Sequence, residues 1–149
     1  MSAANRSSFI YVTYIRTTSR KLWKALTDPE LMRQYWFDMS MQSSWKKGSP
    51  WKLIHSDGAT DSAGEVLEID PPRRMVIRWQ HERPTLKKDG PSRCTIEIEK
   101  AGKAVKLTVT HEINLPRSKL ITAVSGGWPL VLSNLKSLLE TGEAAITKR

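Results

Sequence analysis

Residues 93–112, RCTIEIEKAGKAVKLTVTHE, constrain the fold more than any other stretch of this chain. Cys94, Ile96 and Ile98 alternate with Thr95, Glu97 and Glu99. After the short Ala101-Gly102 turn, Val105, Leu107, Val109 and His111 alternate with Lys106, Thr108 and Thr110. A period of two on both arms of a tight turn describes antiparallel strands with one apolar face and one wet face. Such a sheet is incomplete until something covers its apolar face.

The cover is written near the C-terminus, in GGWPLVLSNLKSLLETG (126–142). Trp128, Val131, Leu132, Leu135, Leu138 and Leu139 fall at helical spacing, with Ser133, Asn134, Lys136, Ser137 and Glu140 on the opposite side. The stripe predicts one amphipathic helix lying on the sheet. Pro129 suits a first turn, where its missing N–H costs nothing. Gly142 suits a left-handed stop, and Gly126-Gly127 is expected to turn the chain tightly onto the sheet.

The remaining segments supply more of the same sheet. SFIYVTYIRT (8–17) reads as a strand with apolar residues on both faces. Ser19 is placed as the cap of a short helix carrying Leu22, Trp23 and Leu26, and Asp28-Pro29 as the start of a second carrying Leu31, Met32, Tyr35 and Trp36. Strands follow at 50–56, at 62–70 (stopped by Pro71-Pro72) and at 74–80. The polar segment 81–92, HERPTLKKDGPS, is expected to be a mobile hairpin tip. The order is a strand, two short helices, five or six antiparallel strands and a long helix, which is an α+β chain. With no repeat or linker, 1–149 reads as one domain, with flexible ends expected at 1–7 and 144–149.

Three strings, LWKALTDPELMRQYW (22–36), GEVLEIDPPRRMVIRW (64–79) and GGWPLVLSNLKSLLETGE (126–143), stand in an order that resembles a known family. It is the activator of Hsp90 ATPase homologue 1-like family of the START-like (SRPBCC) superfamily. The resemblance implies the helix-grip, or START/Bet v1-like, fold: a curved antiparallel sheet wrapped around a long C-terminal helix, with a cavity between them. It also implies a small apolar or lipid-like ligand in that cavity, in a stress or regulatory setting. The alternatives it implies are a protein partner in a cochaperone-like role and a cyclase- or dehydratase-like activity.

Composition narrows the function classes. The formal net charge is +9, but the basic residues come as singles and pairs in both halves of the chain. That distribution argues for a solvated cationic surface over a nucleic-acid footprint. No apolar stretch approaches a membrane span, the N-terminus MSAANRSS is polar, and one cysteine excludes an internal disulfide, so the chain is expected in the cytoplasm. His55, His81 and His111 lack the spacing of a zinc site, and neither Ser125 nor Cys94 sits in a nucleophile motif. No metal, cofactor or catalytic set is assigned. A cyclase-like reaction would need a histidine paired with Asp38 or Tyr14.

Strand parity and the helix stripe instead place the lining of an apolar cavity. From the sheet it takes Trp51, Leu53, His55, Ile77, Trp79, Ile98, Leu107, Val109 and His111. From the helix it takes Trp128, Val131, Leu132 and Leu135, with Trp36 and Trp45 at the mouth. His55 and His111 read first as buried histidines satisfied by hydrogen bonds; in an open cavity one of them would be the proton-transfer candidate or polar anchor.

Overall fold

A computed structural model describes residues 5–147 of the chain. The strand β1 (Ser7–Ile15) leads into α1 (Ser19–Thr27) and α2 (Pro29–Tyr35). Six strands follow: β2 (Ser40–Ser43), β3 (Pro50–Ile54), β4 (Thr60–Asp70), β5 (Arg74–His81), β6 (Ser92–Ala101) and β7 (Ala104–Ile113). A single turn of helix, α3 (Pro84–Lys87), interrupts the β5–β6 connection, and α4 (Lys119–Thr141) closes the chain. The seven strands form one antiparallel sheet in the order β1-β7-β6-β5-β4-β3-β2. This is the helix-grip architecture: α4 and the two short helices cover the inner face of the sheet.

The hairpin of β6 and β7 has the alternation expected of it. Cys94, Ile96, Ile98, Val105, Leu107, Val109 and His111 are buried, while Glu97 and Lys106 lie outward. On the wet face the charges pair across strands, Arg74 with Glu97 at 2.9 Å and Arg78 with Glu65. In β1 the inner residues are partly covered, but Ile10, Val12 and Tyr14 stand 61%, 44% and 52% exposed on the outer face.

The short helices start on their capping residues. Asp28 Oδ1 accepts the Glu30 N–H at 2.9 Å, with Pro29 in the first turn as expected. The cap of α1 is Thr18, whose hydroxyl accepts the Lys21 N–H at 3.2 Å; Ser19 is already helical.

Helix α4 differs from its expected form. It begins at Lys119, where Ser118 Oγ accepts the Ile121 N–H at 3.1 Å, and runs through Gly126-Gly127 and Pro129 without a break. Pro129 is therefore an interior residue. The bond it removes is to the carbonyl of Ser125, and both residues are half-buried, within reach of solvent. The stop at Gly142 is as expected, with φ +94°.

The segment 81–92 is not a free hairpin tip. Leu86 is buried against Ile113, Leu120 and Ile121. The Asp89 carboxylate accepts from Ser118 Oγ at 2.6 Å and from the Leu120 N–H at 3.0 Å. The segment is thus a strap tied across the first turn of α4. At the chain ends, Ser7 Oγ donates to the Leu115 carbonyl and accepts the Ser118 N–H. Asn134 exchanges hydrogen bonds with the Ile146 backbone, at 2.7 Å each. Residues 1–4 and 148–149 of the expected flexible ends lie outside the described residues.

A tryptophan-walled cavity between the sheet and the last helix

The site begins with a glycine. In the sheet register Trp51 of β3 faces Gly64 of β4, and Gly64 faces Trp79 of β5. With no side chain between them, the two indoles meet above the glycine, ring centroids 4.8 Å apart. The Trp51 indole N–H reaches across to the carbonyl of Arg78 at 3.1 Å. A Cβ on Gly64 would lie 1.6 Å from that carbonyl oxygen and 2.9 Å from Trp51 Nε1. Only glycine allows this approach.

The aromatic cluster then climbs from sheet to helix. Trp79 packs on Trp128 of α4 edge-on at 5.9 Å, and Trp128 packs on Trp36 at 5.4 Å. His111 lies beside both, 5.2 Å from Trp79 and 6.4 Å from Trp128.

A chain of hydrogen bonds fixes this cluster. The Trp128 Nε1–H donates to His111 Nδ1 at 3.2 Å. That assigns the histidine proton to Nε2, which donates to Ser92 Oγ at 2.7 Å. The Ser92 hydroxyl in turn donates to the Trp79 carbonyl at 3.4 Å. Burial pushes the His111 pKa down to about 3, so the ring is neutral at pH 7. With both nitrogens engaged, it has no free lone pair to take a proton from a substrate. Burial also pushes the Cys94 thiol up, far from a reactive thiolate. Asp38 lies in the α2–β2 loop and Tyr14 on the outer sheet face, and neither is a hydrogen-bond partner of His111, which bonds Ser92 and Trp128.

One polar atom in the cluster is left over. Trp79 Nε1 is buried and has no hydrogen-bond partner. Trp79 also lines a cavity of about 370 Å³ between the sheet and the N-terminal half of α4. Trp36, Met39, Leu53, Trp128, Val124 and Val131 form its apolar wall; Ala123, Gly127 and Leu86 complete it towards the strap; Asp61, His81 and Arg83 make it polar on one side. A larger groove of about 990 Å³ runs over the loop ends at Thr17–Arg20, Pro71–Arg73 and Lys100–Val105, away from the aromatic cluster.

Of the residues expected to line a cavity, Trp36, Leu53, Trp79, Trp128 and Val131 do so. Trp51 supports Trp79 from behind. Ile77, Ile98, Leu107, Val109, Leu132 and Leu135 are buried in the packed core, and His111 is locked in the hydrogen-bond chain. His55 stands apart from all of these. The β3–β4 register shifts at Leu53/Ile54, β3 ends there, and His55 is an exposed residue whose Nε2 lies 3.2 Å from Asp61 Oδ1. A bulge cancels the parity on which its inward placement depended. Trp45 donates its indole N–H to the Thr27 carbonyl instead of bordering the cavity.

Gly64, Ser92 and the polar side escaped sequence reasoning. Gly64 carried a signal, an isolated glycine inside a strand pattern. Ser92 lay one residue before the assigned strand. Among the described residues no group of three histidine, cysteine, aspartate or glutamate side chains is arranged to hold a metal ion. None of their helices is long and apolar enough to cross a membrane.

Comparison with known proteins agrees with this geometry. The CalU16 protein of Micromonospora echinospora superposes with a TM-score of 0.73 at 20% identity, over 91% of this chain and 77% of that one. An HSP90 activator from Plasmodium falciparum gives 0.72 at 22% identity, over 89% and 95%. The Aha1 dimer from Colwellia psychrerythraea gives 0.73 at 19% identity, over 91% and 98%. No curated protein sequence matches the chain. The family described as activator of Hsp90 ATPase homolog 1-like protein matches residues 16–140, from the end of the first strand to nearly the end of α4. With sheet, gripped helix and sequence in agreement over that span, the chain belongs to the activator of Hsp90 ATPase homolog 1-like family.

Proposed function

We propose that this protein binds a small, mainly apolar molecule non-covalently in the cavity beside Trp79, in the cytoplasm. The observation that carries the reading is the pocket itself, walled by Trp36, Trp79, Trp128, Leu53 and Val131, with Asp61, His81 and Arg83 on its polar side. The indoles and aliphatic side chains would bury the ligand body, and the polar side would set its orientation. The chemistry is binding: the one histidine inside the cluster is neutral and fully hydrogen-bonded.

Native mass spectrometry of freshly purified protein should show a reproducible added mass. Trp79→Ala, which removes an indole from the pocket wall, should reduce it. A bare mass, together with no calorimetric binding of naphthalene-sized probes, would overturn the reading.

The outer face of β1 favours a second reading, a cochaperone-like interaction module. Ile10, Val12 and Tyr14 form an exposed apolar row on an edge strand that carries no charged residue from Ser7 to Ile15. The likeness to an HSP90 activator makes an Hsp90 chaperone the partner to try first. Ile10→Lys with Val12→Lys should abolish any stimulation of the chaperone's ATPase and leave the cavity untouched.

A further inference from the structure

Building on the cavity reading, we propose that the ligand is an organic acid, with a flat apolar body among the indoles and an anionic group at Arg83. The cavity is graded: its wall is indole and aliphatic, and its ionisable residues, Asp61, His81 and Arg83, are grouped on one side. Two of those three are already engaged. The Asp61 carboxylate accepts from Ser62 Oγ at 2.9 Å and faces His55 Nε2 at 3.2 Å and His81 Nε2 at 3.6 Å. His81 Nδ1 accepts the Arg83 backbone N–H at 3.0 Å.

Arg83 differs from both. Its guanidinium has no hydrogen bond or ion pair among the described residues. The acids nearest in sequence are taken: Glu82 by Lys87 at 3.4 Å, and Asp89 by Ser118 and Leu120. Its backbone is nonetheless held firmly. Besides the bond to His81, its carbonyl accepts the N–H groups of Leu86 and Lys87 at 2.9 and 2.8 Å. The result is an anchored residue with an unpaired planar fork at the border of an apolar cavity. That fork matches a carboxylate in geometry as well as charge. A volume of about 370 Å³ is at the small end for ligand sites and suits a body of two or three fused rings. The +9 net charge favours capture of an anion over a cation.

A matched pair of probes tests this. 2-Naphthoate and 2-naphthamide share the ring system and differ in charge. Calorimetric titration of the full chain at pH 7.5 should find the acid bound about fivefold tighter, the scale of one exposed ion pair. Arg83→Gln should erase the preference, weakening the acid far more than the amide. Arg20→Gln, in the distant groove, should change neither. Equal binding of the two probes to the unaltered protein overturns this inference and leaves the cavity reading standing, as does a preference that survives Arg83→Gln. If neither probe binds, the cavity reading falls and takes the inference with it.

Discussion

The two halves of α4 cover the same sheet in different ways. From Leu132 on the helix is tightly seated: Leu132 and Leu135 are buried, and the Asn134 amide donates to the Tyr35 carbonyl at 3.3 Å. The last turns are bound to the first strand, Lys136 Nζ to the Tyr14 carbonyl and Glu140 to the Arg16 N–H at 2.8 Å. Before Trp128, small and branched residues, Ala123, Val124 and Gly127, face an open volume instead. There the helix is held from outside, by the strap through Leu86 and Asp89. One half is stabilised by close packing, whereas the other is held in place by clamps at its border. A void persists only where such clamps replace the contacts that filling would supply.

The largest expected effect is at the glycine beneath the indoles. Gly64→Ala drives a Cβ into the Arg78 carbonyl and should cost about 3 kcal/mol in urea denaturation. A loss under about 1 kcal/mol would mean that the floor of the open half can shift. The next test makes the same change in the packed core, on α1, and in the open half of α4. Ala25→Leu, at a fully buried site in the packed region, should cost about 1–3 kcal/mol. Ala123→Leu grows into the cavity, should change stability by less than about 1 kcal/mol, and should abolish probe binding. Equal costs at the two sites would erase the contrast.

The last test reads a slope with pH. His111 has a folded-state pKa of about 3 against an ordinary 6.5. Between those values the unfolded chain binds a proton that the folded chain refuses. Stability is therefore complete above pH 6.5 and falls on acidification, by up to about 1.4 kcal/mol per pH unit. Asp89 and Glu140, whose carboxyls are held below their usual range by hydrogen bonds, add losses only at lower pH. Melting curves from pH 7 to pH 5 should show the slope in the unaltered protein and a flatter one in His111→Phe.

Much of the fold was legible because alternation and helical spacing are local. The β6–β7 hairpin, the Asp28-Pro29 start and the Gly142 stop each follow from a few adjacent residues. The start of α4 was misplaced for the same reason. Gly-Gly-Trp-Pro has the composition of a helix entry, yet the cap is Ser118, and Asp89, distant in sequence, reinforces it. The cavity was only half legible. Parity tells which face a side chain takes, not whether the facing volume is filled. Leu107 and Leu53 share the inner face, but only Leu53 borders open space. His55 shows the sharper limit, since one bulge turns a whole inference about facing outward.

Asp89 has a consequence for motion. A single carboxylate holds Ser118 Oγ and the Leu120 N–H, so the strap over the cavity and the first turn of α4 share one fastening. Lifting the strap takes the acceptor from the Leu120 N–H and leaves the cap to Ser118 alone, and fraying the first turn loosens the strap. The two segments therefore open as one cooperative unit, and amide hydrogens on both should exchange with solvent at a common free energy of opening.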